Sequence, residues 1–386
     1  MKYRNNYVVL PTFILLSLAI LCLSYNSSDA RITGNCVNCH TMHNSQNGAL
    51  VDTAHPNGNA YLLNAGNPSD TCLRCHANYG QFMGGQGFGP GGDFYWVTKT
   101  FTWGTSGISR GDSHGHNVIS PTKGIAQDAT LASAPGGTFL SSRLGCTSCH
   151  DPHGNQNFRL LYGDEVGPKY DGGRYTFDYA APIAKGNSRR TYLGQAGVET
   201  NTDHTIYKSG MSDWCANCHA NLHEDNTTNF VHPTRAMGST VAATYNAYVS
   251  SDDLVSGSEA TSYWGLVPFE AVNVDLETAD SANYTQGPTG VDEVMCLTCH
   301  RAHASPFADS ARWDMSAMIM SQSHPQITDG GATQTDVDRK YYQYTFVANQ
   351  RSLCNKCHVK DGFDGPIVSR RISSPHGPLP DNPVGS

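Results

Sequence analysis

The sequence predicts a mostly irregular, loop-dominated fold, with short helices at six copies of one small motif and a few short strands between them. Three observations lead there. The motif Cys-x-x-Cys-His occurs six times, at Cys36/Cys39/His40, Cys72/Cys75/His76, Cys146/Cys149/His150, Cys215/Cys218/His219, Cys296/Cys299/His300 and Cys354/Cys357/His358, and uses every cysteine except Cys22. Only 38% of the 386 residues are hydrophobic, against 39 glycines and 19 prolines, which leaves little apolar side chain for large cores around regular elements. The spacing between first cysteines, 36, 74, 69, 81 and 58 residues, is too uneven for a regular solenoid.

Repeated Cys-x-x-Cys alone also serves zinc knuckles and disulfides, but neither requires a histidine directly after the second cysteine. Histidine makes up 17 of 386 residues, so six such coincidences have odds on the order of one in 10^8. Cys-x-x-Cys-His is the attachment site of c-type haem: both thiols form thioethers with the vinyl groups, and the histidine becomes an axial iron ligand. The twelve motif cysteines therefore imply six covalently bound haems c. Six porphyrins supply the apolar surface that the side chains lack, so the chain should fold around them and the apo-chain should be largely unstructured.

His43 adds a constraint. It lies three residues after His40, on the same face of any helical turn, whereas a six-coordinate iron needs its two axial ligands on opposite faces. If His43 ligates at all, it must reach a different haem and hold two haems side by side. His150/His153 and His300/His303 repeat the spacing, and His219/His223 is one residue looser; four adjacent pairs imply a chain of haems. His116, His55, His232 and His324 are further candidates, the last three stiffened by a following proline. His114, His204 and His376 read as ordinary hydrogen-bonded or surface imidazoles. A distal histidine for every iron leaves none open to substrate, which favours electron transfer over catalysis. The Met315, Met318 and Met320 cluster reads as core packing rather than ligation.

Residues 1–30 read as a secretory signal: Lys2 and Arg4, an apolar run over 7–23, then Ser28-Asp29-Ala30 as the cleavage site, leaving 31–386 as a single domain. A retained anchor is the competing view, against which the run is short and interrupted by Pro11; the residue before Cys22 is not the small one that lipidation needs. With Lys2, Arg4 and Asp29 removed, 23 basic and 32 acidic side chains remain of 25 and 33, a formal charge of −9. Haem propionates make the product more acidic. Nucleic acid is excluded as a partner for want of a basic patch. Arg74, Arg143, Arg301 and Arg351, close to attachment cysteines, are candidates to pair with propionates.

Residues 80–92 form a glycine-rich loop, without the helix start and Lys-Ser/Thr of a phosphate site. The aromatic and β-branched stretch 94–103 predicts a strand, half of a hairpin. Residues 163–197 show no usable periodicity. Short helices are predicted at the motifs, capped by Ser69 or Asp70 before Cys72 and by Ser212 before Cys215, and further ones over 261–271 and 310–321.

These residues resemble a known family. Cys36-Val37-Asn38-Cys39-His40-Thr41-Met42-His43-Asn44-Ser45, Pro90-Gly91-Gly92-Asp93-Phe94, Gly115-His116-Asn117, Ala134-Pro135-Gly136-Gly137-Thr138, Cys149-His150-Asp151-Pro152-His153-Gly154, Gly210-Met211-Ser212-Asp213-Trp214-Cys215, Cys299-His300-Arg301-Ala302-His303 and Leu353-Cys354-Asn355-Lys356-Cys357-His358 are similar to stretches of the OmcS-type hexahaem cytochromes, which polymerise into extracellular conducting filaments. The resemblance implies bis-histidine ligation throughout, with His43, His116, His153, His223, His232 and His303 as distal ligands. It also implies a head-to-tail homopolymer in which His43 ligates the fifth haem of the adjoining subunit. Other multihaem cytochromes would be donors, extracellular oxidants the acceptors, and no membrane anchor would remain. This chain departs from the family in having Ala77-Asn78-Tyr79 where extra histidines follow the second motif, and in a tail over 359–386 that contains His376. The alternatives are a soluble periplasmic shuttle with the same haems, and a multihaem oxyanion reductase, which needs one iron with a vacant face. A pyridine haemochrome assay on the exported chain should give six covalent haems, and the Cys146→Ser/Cys149→Ser double variant five.

Overall fold

The computed structural model describes residues 35–76, 90–164, 176–186, 199–223, 232–342 and 344–358. The segment 1–30, most of the 80–92 loop, parts of 163–197, and the 359–386 tail with His376 lie outside the described residues. Within them irregular backbone dominates, as the composition predicts. The α-helices are α1 (Pro68–Leu73), α2 (Met211–His219), α3 (Gly238–Ala247), α4 (Cys296–Cys299) and α5 (Gln334–Arg339). Among the described residues strands pair two by two and antiparallel: β1 (Ser45–Gln46) with β2 (Ala49–Leu50), β3 (Phe101–Trp103) with β4 (Gly107–Ser109), and β5 (Ile183–Lys185) with β6 (Ile206–Ser209). Among the described residues no helix is long and apolar enough to cross a membrane.

Local chemistry explains where these elements begin and stop. The β1–β2 turn places Asn47 and Gly48 at φ 53° and 79°, the left-handed pair that a two-residue hairpin turn demands. The stretch 94–103 splits instead of forming one strand. The Asp93 carboxylate accepts the Tyr95 N–H at 2.9 Å and caps a 3-10 turn over Phe94–Thr98, so that only Phe101–Trp103 enters the hairpin. Neither Ser69 nor Asp70 caps α1; Asn67 does, through Oδ1 to the Asp70 N–H at 2.8 Å, with Pro68 at the first helical position. Helix α2 follows Gly210 at φ 82°, not a serine cap.

The helices predicted over 261–271 and 310–321 are not there; the structure has only 3-10 turns at Glu259–Thr261, Ala308–Ser310 and Met320–Gln322. Every residue from 262 to 271 is buried, and Pro268 within the stretch removes a backbone donor and disfavours the helical region for Val267. That stretch is the heart of a core larger than the composition led one to expect. Tyr245, Tyr263, Trp264, Leu266, Phe269, Phe307, Trp313 and Leu353 belong to one cluster of fifteen buried residues. Aromatic rings bury about 150–250 Å² each, so a modest number of them compensates for a low hydrophobic fraction. Met320 joins this cluster as predicted, whereas Met315 and Met318 point outward at 50% and 55% exposure. A second cluster gathers Leu73, Trp96, Phe101, Val118 and Ile125, and a third Tyr207, Met211, Met295 and Leu297.

Three segments that are distant in sequence meet at Ala304, which is fully buried and bridges to both Gly92 and Gly115. A Cβ at Gly92, whose φ is +87°, would sit 1.9 Å from the Ala304 carbonyl oxygen, so neither the conformation nor the space admits another residue. Gly48 shares the positive φ but has nothing within 4 Å. Denaturant unfolding should therefore separate the two: Gly92→Ala should cost more than ~3 kcal/mol and Gly48→Ala about 1 kcal/mol.

Candidate haem-binding array

Each motif closes on itself. The N–H of the motif histidine returns to the carbonyl of the first cysteine, at 2.8 Å for His40, 3.0 Å for His76, 3.1 Å for His150, 3.0 Å for His300 and 2.9 Å for His358. His219 ends α2, which carries the fourth motif. A single turn thus holds the two thiols and the imidazole together.

The first, third and fifth motifs share a larger module that sequence reading did not find. In each, the histidine's Nδ1–H donates to a backbone carbonyl in a following loop: Tyr61 at 2.9 Å, Arg159 at 2.8 Å and Asp309 at 2.8 Å. The next residue's N–H bonds the next carbonyl, Thr41 to Leu62, Asp151 to Leu160 and Arg301 to Ser310. The loop returns a bond to the second cysteine's carbonyl, from Asn64 to Cys39, Tyr162 to Cys149 and Arg312 to Cys299. To aim these carbonyls the chain places Tyr61-Leu62, Arg159-Leu160 and Asp309-Ser310 at φ between 51° and 60°, a left-handed setting that costs roughly 1–2 kcal/mol per non-glycine residue. His219 and His116 make the same kind of bond, to Pro135 at 2.8 Å and Ala302 at 2.6 Å. With the proton fixed on Nδ1, the Nε2 lone pair of each ring is left to bind a metal.

The imidazoles face one another in pairs: His40 with His153 at 6.1 Å between ring centres, His150 with His303 at 6.3 Å, His219 with His116 at 6.0 Å, and His358 with His232 at 6.1 Å. Two imidazoles bound to one ion from opposite sides have centres about 6 Å apart, since each metal–nitrogen bond is about 2.0 Å and each centre lies roughly 1.1 Å behind its nitrogen. The residues therefore fit six-coordinate haem iron. Burial keeps five of these eight rings neutral and ligand-competent. It lowers the pKa of His116, His150, His219 and His358, and for His303, with His150 and His116 adding to it, the value falls to about 3.

Seven further histidines lie outside these pairs. His43 is exposed, held outward by a left-handed backbone and by the neighbouring Asn44, which is buried and bonds Asp52 and the His55 carbonyl. The Nε2 of His223 lies 2.9 Å from Asp213. Among the described residues no imidazole faces His300 at the paired distance. His55 bonds Asp52, and His324 stacks on Trp103 at 3.9 Å and bonds Asp329. His114, between Trp96 and Ser109, and His204, stacked on Tyr263, are structural.

The six motifs follow one another in space in their sequence order. Burial and then Cys75 push up the Cys39 thiol, and contact with Cys146 holds up Cys72. Burial and then Cys218 raise Cys149; Cys296 holds up Cys215; burial, then Cys354 and Cys357, raise Cys299. The serines predicted as caps clasp two of these junctions instead. Ser69 Oγ accepts the Cys146 N–H at 3.2 Å, and Ser212 Oγ the Cys296 N–H at 3.0 Å, each from three residues ahead of its own motif. Of the arginine candidates, Arg74 donates to the Asn64 carbonyl at 2.6 Å and Arg143 is exposed. Arg301 is buried, and its Nε, like Nη2 of the unpredicted Arg312, has no hydrogen-bond partner among the described residues, a donor pair suited to carboxylates.

Paired imidazoles over paired thiols, repeated along an aperiodic chain, define a multihaem c-type cytochrome. The sequence is 34% identical over 406 residues to the C-type cytochrome OmcS of Geobacter sulfurreducens, across 84% of this chain and 92% of that protein, and the chain belongs to the OmcS family of cytochromes. It is similar to the cryo-EM structure of OmcS nanowires from Geobacter sulfurreducens, with TM-score 0.72 and 31% identity over 86% of this chain and all of that one. A structure of the outer membrane cytochrome S filament from the same organism gives TM-score 0.70 and 31% identity over 85% and 98% of the two chains. No family model matches the sequence.

Helix α2 begins on Glu270, whose Oε1 accepts the Met211 N–H at 2.7 Å. Burial lifts this carboxyl to about 7 against the opposing pull of that bond, above the unfolded value of about 4.3. The folded state thus binds the proton more tightly, and the associated stability is complete below the unfolded value and lost as pH rises through about 7. At about 1.4 kcal/mol per pKa unit, on the order of 3 kcal/mol is at stake. The thermal midpoint should fall between about pH 5 and about pH 8, and Glu270→Gln should flatten that part of the profile.

Proposed function

We propose that this protein is an electron carrier, not an enzyme: an exported hexahaem cytochrome that passes electrons one at a time along a continuous haem line, and joins copies of itself head to tail into an extracellular filament. Residues 1–30 serve as the signal. Bound haem supplies the one-electron Fe(III)/Fe(II) couple. The chain's own residues supply the rest: twelve cysteines to anchor the rings, six motif histidines on one face, and distal histidines on the other, four of which face a motif histidine within one subunit; with the other two irons closed in the same way, no coordination position is left for a substrate.

The observation that carries the reading is the pattern in which third-position histidines are shared. His153, in the third motif, faces His40 of the first, and His303, in the fifth, faces His150 of the third. Continued by one step, the rule assigns His300 a third-position histidine from a following module. In this chain the sixth motif has Asp361 at that position; the first motif of another copy has His43, already presented outward. A contact that joins two different surfaces without closing on itself propagates as a filament, and the OmcS nanowire structures support that outcome. Other multihaem cytochromes would donate electrons and extracellular oxidants would accept them.

A second reading has a specific observation behind it: His223 closely follows helix α2, whose Ser212 accepts the Cys296 N–H at 3.0 Å, so it could close the fifth site within its own chain and leave a soluble shuttle. One pair of variants decides. Under the filament reading, His43→Ala abolishes filaments in electron micrographs and turns one sixth of the haem high-spin, while His223→Ala leaves the fifth site low-spin. Discrete particles from the parent chain, with His43→Ala fully low-spin, would overturn it.

A further inference from the structure

The three sister modules form an internal comparison, because their backbones match and their charges do not. Directly after the motif histidine stand Thr41, Asp151 and Arg301. At the residue that returns its N–H to the second cysteine stand Asn64, Tyr162 and Arg312. The fifth site alone thus carries two arginines, 2% and 0% exposed. Arg312 lies against the site itself, its Nε donating to the carbonyls of Leu297 at 2.5 Å and of His300 at 3.0 Å, and its Nη1 to Gly265 at 3.2 Å. Arg301 donates to the Pro90 carbonyl at 3.1 Å and lies 3.9 Å over the Tyr342 ring.

Glu199, 4% exposed and 4.0 Å from Arg301, opposes that guanidinium, and the buried Glu270 carboxyl, lifted to about 7, acts on Cys296; Arg312 has no carboxylate within ion-pair distance among the described residues. The third site has instead the half-buried carboxylate of Asp151, which accepts the His153 N–H at 2.9 Å, and the first site has neutral Thr41 and Asn64. Arg74 beside the first site, Arg159 beside the third and Asp309 beside the fifth are exposed, where water and salt screen their charges. Reduction lowers the charge of an iron site by one, so a cation that is buried, and therefore weakly screened, favours the reduced state. Arginine holds its charge at every accessible pH. Every porphyrin brings the same carboxylates, so they do not distinguish one sister site from another.

We propose that Arg301 and Arg312 make the Cys296–His300 site the highest in potential of the three sister sites, and that Asp151 makes the Cys146–His150 site the lowest. Among these three sites an electron then rests preferentially at the one where the next copy would attach. The inference builds on the bis-histidine reading, and its test separates the two.

The exported chain, with haem content and spin state checked first, is titrated spectroelectrochemically. Arg312→Met should move one sixth of the haem absorbance to lower potential. At a fixed potential the reduced-to-oxidised ratio of that sixth should fall about tenfold, the scale of one charge acting across about 10 Å at an effective permittivity near 20; this is about 59 mV for one electron. Arg312→Lys, which keeps the charge, should leave that sixth close to the parent position, and Asp151→Asn, which keeps the acceptor for His153, should raise a different sixth. If Arg312→Met loses haem, Asp151→Asn and Thr41→Arg decide, both with an upward shift. Six low-spin haems with no movement of any sixth would overturn the inference and leave the ligation reading intact, whereas a high-spin fraction in the parent chain would overturn the ligation reading itself.

Discussion

The structure depends on one interaction: the hydrogen bond from Nδ1 of a motif histidine to a backbone carbonyl. An imidazole offers a metal its Nε2 lone pair only when the proton is held on the other nitrogen, and the ring binds in a defined direction only when that proton has a fixed partner. Five of the eight rings in the four facing pairs have such a bond to a carbonyl elsewhere in the chain: His40, His116, His150, His219 and the shorter-range His232. The loops that serve His40, His150 and His300 hold non-glycine residues in left-handed conformations, at a cost borne three times over. Much of what looks like formless coil is scaffolding for these acceptors.

The second organising feature is the way in which neighbouring motifs are fastened to each other rather than to a common core. Ser69 and Ser212 reach from one motif to the first cysteine of the next. His116 and His303 lie together, the N–H of one on the carbonyl of the other at 2.8 Å, while they face motif histidines of different sites. Adjacent sites therefore cannot drift apart without breaking hydrogen bonds in the sites themselves. The aromatic clusters lie beside this line as ballast: the largest, around Tyr245 and Trp313, packs against Cys299 and Cys357.

The chemistry of the array was plain in the sequence, because covalent haem attachment needs three residue types at fixed spacing. The geometric argument about His43 also came from spacing alone, since ligands on one face of a turn cannot serve one iron. The partner of each distal histidine was not legible, because those pairings join residues more than a hundred positions apart through loops without periodicity. Nor was the module of left-handed pairs, whose members, Tyr-Leu, Arg-Leu and Asp-Ser, share a backbone conformation and no side-chain chemistry. The failed helix over 261–271 has a local cause, Pro268 within it, which removes a backbone donor and crowds the preceding turn. Ser69 and Ser212 were noticed as polar residues near helix starts, but the donor each satisfies belongs to another motif.

The left-handed pairs have one more consequence. The first residue of each pair turns its motif imidazole through the main-chain carbonyl only, and its side chain faces water, with Tyr61 at 85% exposure and Arg159 and Asp309 also outside, whereas Ser310, the second residue in the fifth module, is buried and donates its hydroxyl to the Arg301 carbonyl at 2.8 Å. The coat of the molecule beside each of these three irons is therefore apolar, basic or acidic without any change in how the iron is held. Substitutions at Tyr61, Arg159 and Asp309 can therefore change the polarity of the exterior while the main-chain acceptors keep their coordinates.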